Sequence, residues 1–130
     1  MAAGAIELIL LNPVLAVCRL SAADAVADWA LGGSFSSVTR SGDELSVVCE
    51  QERVPPDVLT EAGWRCLMVK GPLKFTAVGI LASLAAPLAA AGVSVFVIST
   101  YDTDFLLVKE ASLEQALSSL ADEGFEVSGR

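Results

Sequence analysis

The sequence predicts an α+β fold of two tandem units, and three observations carry that expectation. Along the 130 residues, short β-branched runs such as "VSVFVIS" alternate with Ala-rich runs such as "TAVGILASLAAPLAAAG", the textures of strand and helix. The second half reads strand, helix, strand, strand, helix, strand. The pattern Thr-x-x-x-Asp occurs at Thr39 to Asp43 and again at Thr100 to Asp104, each time ahead of an apolar strand, so the two halves share an order of elements.

Taken in order, residues 5–11 (AIELILL) and 14–20 (VLAVCRL) predict strands parted by Asn12 and Pro13. "SAADAVADWAL" predicts a helix, with Ser21 or Asp24 as N-cap and Gly32 and Gly33 as its stop. "SFSSVTR" and "ELSVVCE" predict a hairpin turning at Ser41, Gly42 and Asp43, with Leu45, Val47 and Cys49 on one face of its second strand. The polar interval "QERVPPDVLTEAG" marks the division between a divergent N-terminal unit, residues 1–62, and a C-terminal domain, residues 63–130. Within it, Pro55 and Pro56 open a short helix "DVLTEAG" that Gly63 closes.

"WRCLMVKG" is the next strand, followed by the Ala-rich helix, which Pro87 interrupts and Gly92 ends. Strands "VSVFVIS" and "DFLLVKE" come next. Ser112 then caps "LEQALSSLADEG", whose buried stripe is Leu113, Ala116, Leu117 and Leu120, and "FEVSG" adds a last strand. A crossover between parallel strands runs right-handed and lays its helix on one face of the sheet. Two such helices over a four-stranded antiparallel sheet make a ferredoxin-like α/β sandwich.

Composition removes several function classes. The chain has 8 Lys plus Arg against 16 Asp plus Glu, a formal charge of -8, and its cations are scattered, so nucleic acid is not an expected partner. Histidine is absent, and with it the usual general base, the usual metal ligand and every Ser-His or Cys-His nucleophile. Cys18, Cys49 and Cys66 are odd in number, far apart and set in apolar runs, which suits core thiols of a reducing, cytoplasmic compartment. No catalysis, metal or cofactor is expected. From Phe75 to Tyr101 no residue is charged, but Pro87, Gly92 and the change to β-branched residues argue for a helix and a strand instead of a membrane span. The N-terminal "MAAGAIELILLNP" lacks a positive leader region and carries Glu7 in its apolar run, so no signal peptide is expected.

The stretch "WRCLMVKGPLKFTAVGILASLAAPLAAAGVSVFVISTYDTDFLLVKEASLEQAL" resembles the ACT domain, in the branch that includes small bacterial proteins of two tandem ACT units and the animal cytosolic arginine sensor. "GSFSSVTRSGDELSVVCEQERVP" resembles the divergent first unit of the same proteins. The resemblance implies a regulatory module that binds an amino acid and pairs with a second copy. It implies that Val78, Gly79, Ile80 and Leu81 wrap the ligand at the helix start, and that Ser94 and Val95 approach it from the neighbouring unit. Thr100, Tyr101, Thr103 and Asp104 match the hairpin segment facing the pocket, with Asp104 gripping a cationic group. At Ala77 and Ala91 this sequence departs from the arginine sensor, which carries polar side chains there, so arginine itself is not carried over as ligand.

Elementary chemistry suits that set. A helix N-terminus offers unpaired N–H groups to a carboxylate, and Asp104 with Thr100 offers acceptors to an ammonium. The plainer alternative is that Asp102, Asp104 and the threonines shape the hairpin through bonds to the local backbone. Two function readings follow: a homodimeric amino-acid sensor that regulates a protein partner, or a structural pairing module with no ligand. An enzyme built on a carboxylate base is a third, weakened by the missing second acid-base group.

Overall fold

The computed structural model describes residues 6–71 and 79–129. Its strands are β1 (Glu7–Leu10), β2 (Leu15–Leu20), β3 (Ser36–Arg40), β4 (Leu45–Glu50), β5 (Leu59–Val69), β6 (Phe96–Ser99), β7 (Asp104–Lys109) and β8 (Glu126–Gly129). Helix α1 (Ile80–Ala90) lies between β5 and β6, and α2 (Leu113–Asp122) between β7 and β8. Two units emerge, Pro13–Trp64 and the pair of segments Met1–Asn12 and Arg65–Arg130, and the strand β5 contributes residues to each.

In the unit Pro13–Trp64 the strands run in the order β3, β4, β2, β5, with antiparallel neighbours. Ala16, Cys18, Ala30, Leu45, Val47 and Cys49 form its core, with Trp29, Val38 and Val54 packed against them. The expected alternation in β4 appears, except that Val48 is buried as well.

Two predicted helices are corrected here. Residues 21–31 contain only a 3₁₀ turn at Asp28–Ala30. Ser21 and Asp24 do cap each other, the Ser21 N–H donating to Asp24 Oδ2 at 3.1 Å and the Asp24 N–H to the Ser21 carbonyl at 3.0 Å. The carbonyls of Ala22 and Asp24, which a helix would bond internally, accept instead from the Arg40 guanidinium. A stretch this short is marginal as a helix without packing, so an outside donor decides. The second correction is "DVLTEAG", which enters β5: Leu59 pairs with Arg19, Thr60 with Cys18 and Glu61 with Val17. Gly63 has φ 79° and lies where the register shifts between Leu15 and Val17, so it is a β-bulge residue and not a helix stop. Both roles call for positive φ, which is why the residue type alone misleads.

The other unit follows the expected order of strand, helix, strand, strand, helix, strand, but its sheet holds a further strand. The order is β6, β7, β5, β1, β8, with β1 antiparallel to β5 and parallel to β8. The division expected at residue 62 leaves β1 with the first half of the sequence. Instead Leu8 pairs with Val69 on one side and Val127 on the other, and Ile6 and Leu8 enter the core with Leu67, Val69, Leu106 and Val108. Burial of this apolar face outweighs chain proximity, since each fully buried Leu or Ile stabilises by roughly 1.5–3 kcal/mol. Along the chain, residues 13–64 are thus an insertion between two neighbouring strands of this unit.

Leu84 and Leu88 of α1, and Ala116 and Leu120 of α2, close that core at helical spacing, with Leu113 and Leu117 partly buried beside them. The two helices end alike. The Val93 N–H donates to the Leu88 carbonyl at 2.9 Å and Gly92 N–H to Ala89 at 3.0 Å; Phe125 and Gly124 repeat this on Leu120 and Ala121. In each case the residue after the glycine is buried against the core, the hydrophobic contact of a Schellman close. At the other end Ser112 occupies the N-cap of α2, but its side chain makes no capping bond. No helix among the described residues is long and apolar enough to cross a membrane.

All three thiols are buried, and burial raises the pKa of each, that of Cys49 to about 11 and that of Cys66 to about 12. Expected near pH 8 is no reaction of the native chain with an aromatic disulfide reagent and release of three thiols per chain in urea. Because the folded values lie above the ordinary 9.0, the neutral thiols favour the native state below pH 9, and that contribution is lost as pH rises towards 11 and 12. An alkaline urea titration reads it; a Cys66→Ala variant should flatten the loss.

Candidate functional site

The expected ligand residues fall into three local sets. Val78 lies outside the described residues. Gly79 is the N-cap of α1, with φ 84° and its carbonyl accepting the Ser83 N–H at 2.9 Å. A Cβ built there meets nothing within 4 Å among the described residues, and the positive φ of this residue is a conformation that favours glycine. The N–H groups of the first turn of α1 have no intrahelical acceptor, and no side-chain cap is present. Ile80 and Leu81 are half-buried against the core, so their side chains support the helix.

The second set is the hairpin between β6 and β7. Its closing pair is Ser99 opposite Asp104, and the Ser99 hydroxyl donates to Asp104 Oδ1 at 2.6 Å. Inside it the Thr100 N–H donates to the Thr103 carbonyl at 2.8 Å, and the Thr100 Oγ1 hydroxyl donates to the same carbonyl at 3.1 Å. Thr103 is buried, and its Oγ1 donates to the Val69 carbonyl at 2.6 Å. That bond fastens the start of β7 to the end of β5, from which the chain leads towards α1. Tyr101 is 80% exposed at the tip. The third set is Ser94, exposed, and Val95, half-buried against the core; both precede β6, which begins at Phe96.

The structure therefore gathers Ser99, Thr100, Thr103 and Asp104 into one hydrogen-bonded turn beside Val69. Among the described residues, the side-chain hydrogen bonds of Ser99, Thr100, Thr103 and Asp104 stay within this turn or reach Val69. Ser99 was not among the residues expected from sequence. The register of a four-residue loop would have found it, since Ser99 and Asp104 flank that loop as a cross-strand pair. Thr103 serves the fold, and among the described residues Asp104 keeps one carboxylate oxygen beyond the Ser99 bond. Among the described residues no group of three or more Cys, Asp or Glu side chains could hold a metal.

The fold is α+β and ferredoxin-like, and its candidate groups are a helix start and a half-buried carboxylate. An ACT-domain family model matches residues 59–122, and a second model, described as an N-terminal domain, matches residues 14–57. Residues 59–122 belong to the ACT-domain family, whose modules are regulatory and non-catalytic. The chain is 36% identical over 100 residues to the bovine (Bos taurus) cytosolic arginine sensor for mTORC1 subunit 1, a match covering 68% of this chain and 30% of that protein. A crystal structure of a protein from Agobacterium tumefaciens is 42% identical, with a TM-score of 0.91, covering 96% of this chain and 93% of the other. The ligand-free regulatory subunit of aspartate kinase from Thermus thermophilus shares the fold at 9% identity and a TM-score of 0.59, covering 85% of this chain and 93% of that one.

Proposed function

We propose that this protein is a cytosolic, non-catalytic amino-acid sensor. The observation that carries the reading is the ACT match over residues 59–122, which spans every candidate residue from Gly79 to Asp104. The first turn of α1 supplies N–H donors for the ligand carboxylate, and Asp104 takes its ammonium with the oxygen that Ser99 does not engage. The site is completed in a homodimer, where Ser94 and Val95 of the second copy approach Gly79 and Asp104. Occupancy then alters docking to a regulated protein.

A thermal unfolding screen against the twenty protein amino acids tests this. Binding to the native state alone stabilises by about 2.7 kcal/mol when ligand stands at 100 times its Kd. For a chain of this size that is a rise of several degrees. One or a few small amino acids should raise the midpoint, and sedimentation should show a dimer. A flat screen at millimolar ligand would leave the pairing-module reading in its place.

A further inference from the structure

A different face of the same domain carries features the sensor reading leaves unused. Strand β8 pairs with β1 only, so among the described residues its outer edge has no strand partner. Beside that edge runs a cleft of about 330 Å³, lined chiefly by Leu10, Leu117, Ala121, Phe125 and Val127. A second cavity of about 370 Å³ shares Val127 and Ser128 with the first but is lined by Glu7 and Glu126. Glu7 and Glu126 are register partners on neighbouring strands, so they share a face, and strand alternation sets them opposite to Leu8 and Val127.

The charges on this surface are arranged at a cost to the free chain. Two carboxylates directly across a ladder repel, and the cation near them, Lys70, lies 3.1 Å from Glu7. Asp122 and Glu123 sit at the C-terminal end of α2, where the helix dipole is already negative and no basic residue occupies the last turn. An added strand on β8 would send alternate side chains to the two faces, one set into the apolar cleft and the other towards Glu126. A second copy of β8 is a poor occupant, because it would bring its own Glu126 to a face that already carries Glu126 and, one strand further in, Glu7.

We propose that the free edge of β8 and the cleft beside α2 form a docking site for an extended segment of a partner protein with alternating basic and apolar side chains, taken up as an added strand. Backbone bonds to β8 would give affinity, and the apolar and acidic cavities would give the alternation.

The test uses the full chain labelled with ¹⁵N and three blocked heptapeptides: alternating lysine and valine, alternating glutamate and valine, and a block arrangement of the lysine–valine composition. Expected are saturable amide shifts confined to residues 117–129 with the alternating lysine peptide, about tenfold weaker binding of the block peptide, and none of the glutamate peptide. Replacing Asp122 and Glu126 by Lys, or the exposed Ala121 by Trp, should weaken binding at least about tenfold while leaving the unfolding midpoint in place. Equal binding of the alternating and block peptides, shifts located elsewhere, or no shift at millimolar peptide would overturn the proposal. So would shifts in β8 that follow protein concentration without peptide, since the occupant would then be a second copy. None of these outcomes depends on the amino-acid screen.

Discussion

A chain that begins at Pro13 is expected to lose cooperative folding of its C-terminal domain, although every residue from 63 to 129 is retained. The strand removed, β1, is only four residues long, but it lies between β5 and β8 and is paired on both sides. Its loss leaves the inner edges of two strands without partners and takes Ile6 and Leu8 out of the core, where they are 7% and 1% exposed. Those two side chains alone represent roughly 3–6 kcal/mol of burial, against a total stability of about 5–15 kcal/mol for a domain of ordinary size. Urea unfolding followed by circular dichroism reads the result: a broad or missing transition for the shortened chain, and a loss of about 2–5 kcal/mol for the milder Leu8→Ala. A shortened chain that unfolds with the parent midpoint would show β1 to be dispensable.

That strand also marks where sequence reasoning stops. Texture and punctuation reveal the strand of residues 7–10, but nothing local says which of the two units it joins. The choice rests on which core accepts Ile6 and Leu8, a contact with residues about sixty positions away. The same holds for the two missing helices. Ser21 and Asp24 form the capping bonds their identities suggest, yet the helix they would start is pre-empted by Arg40, which no local window contains. By contrast, α1, α2 and the β6–β7 hairpin were readable. Their signals are local: leucines at helical spacing, a glycine followed by a core residue, and a polar loop between two apolar runs.

The candidate site divides along the same line. The residue types of the hairpin announce a turn rich in acceptors, but only the register separates their duties. Asp104 is half-buried with one oxygen on Ser99, whereas Thr103, of similar size and also expected to face a ligand, is turned to the Val69 carbonyl. No sequence pattern tells a threonine that closes a turn from one that faces a pocket, because both hydroxyls want an acceptor within 3 Å or so.

Separating those duties gives the second large effect. Thr103→Val keeps the shape of the side chain but removes the donor to Val69, leaving a buried carbonyl short of a partner and costing about 1–3 kcal/mol. The ligand's own contribution to the unfolding midpoint should survive in that variant, added to a lower base. Asp104→Ala should do the reverse. It gives up one exposed bond to Ser99, worth about 0.5–1.5 kcal/mol, while the midpoint rise produced by the amino acid should vanish, because a charge-assisted bond of roughly 1.5–3 kcal/mol goes with the carboxylate. Measured side by side with and without ligand, the two variants should cross: Thr103→Val lower in both states with the difference kept, Asp104→Ala close to the parent without ligand and indifferent to it. Should Asp104→Ala respond to ligand as the parent does, the carboxylate belongs to the turn, and the sensor must hold its ammonium elsewhere.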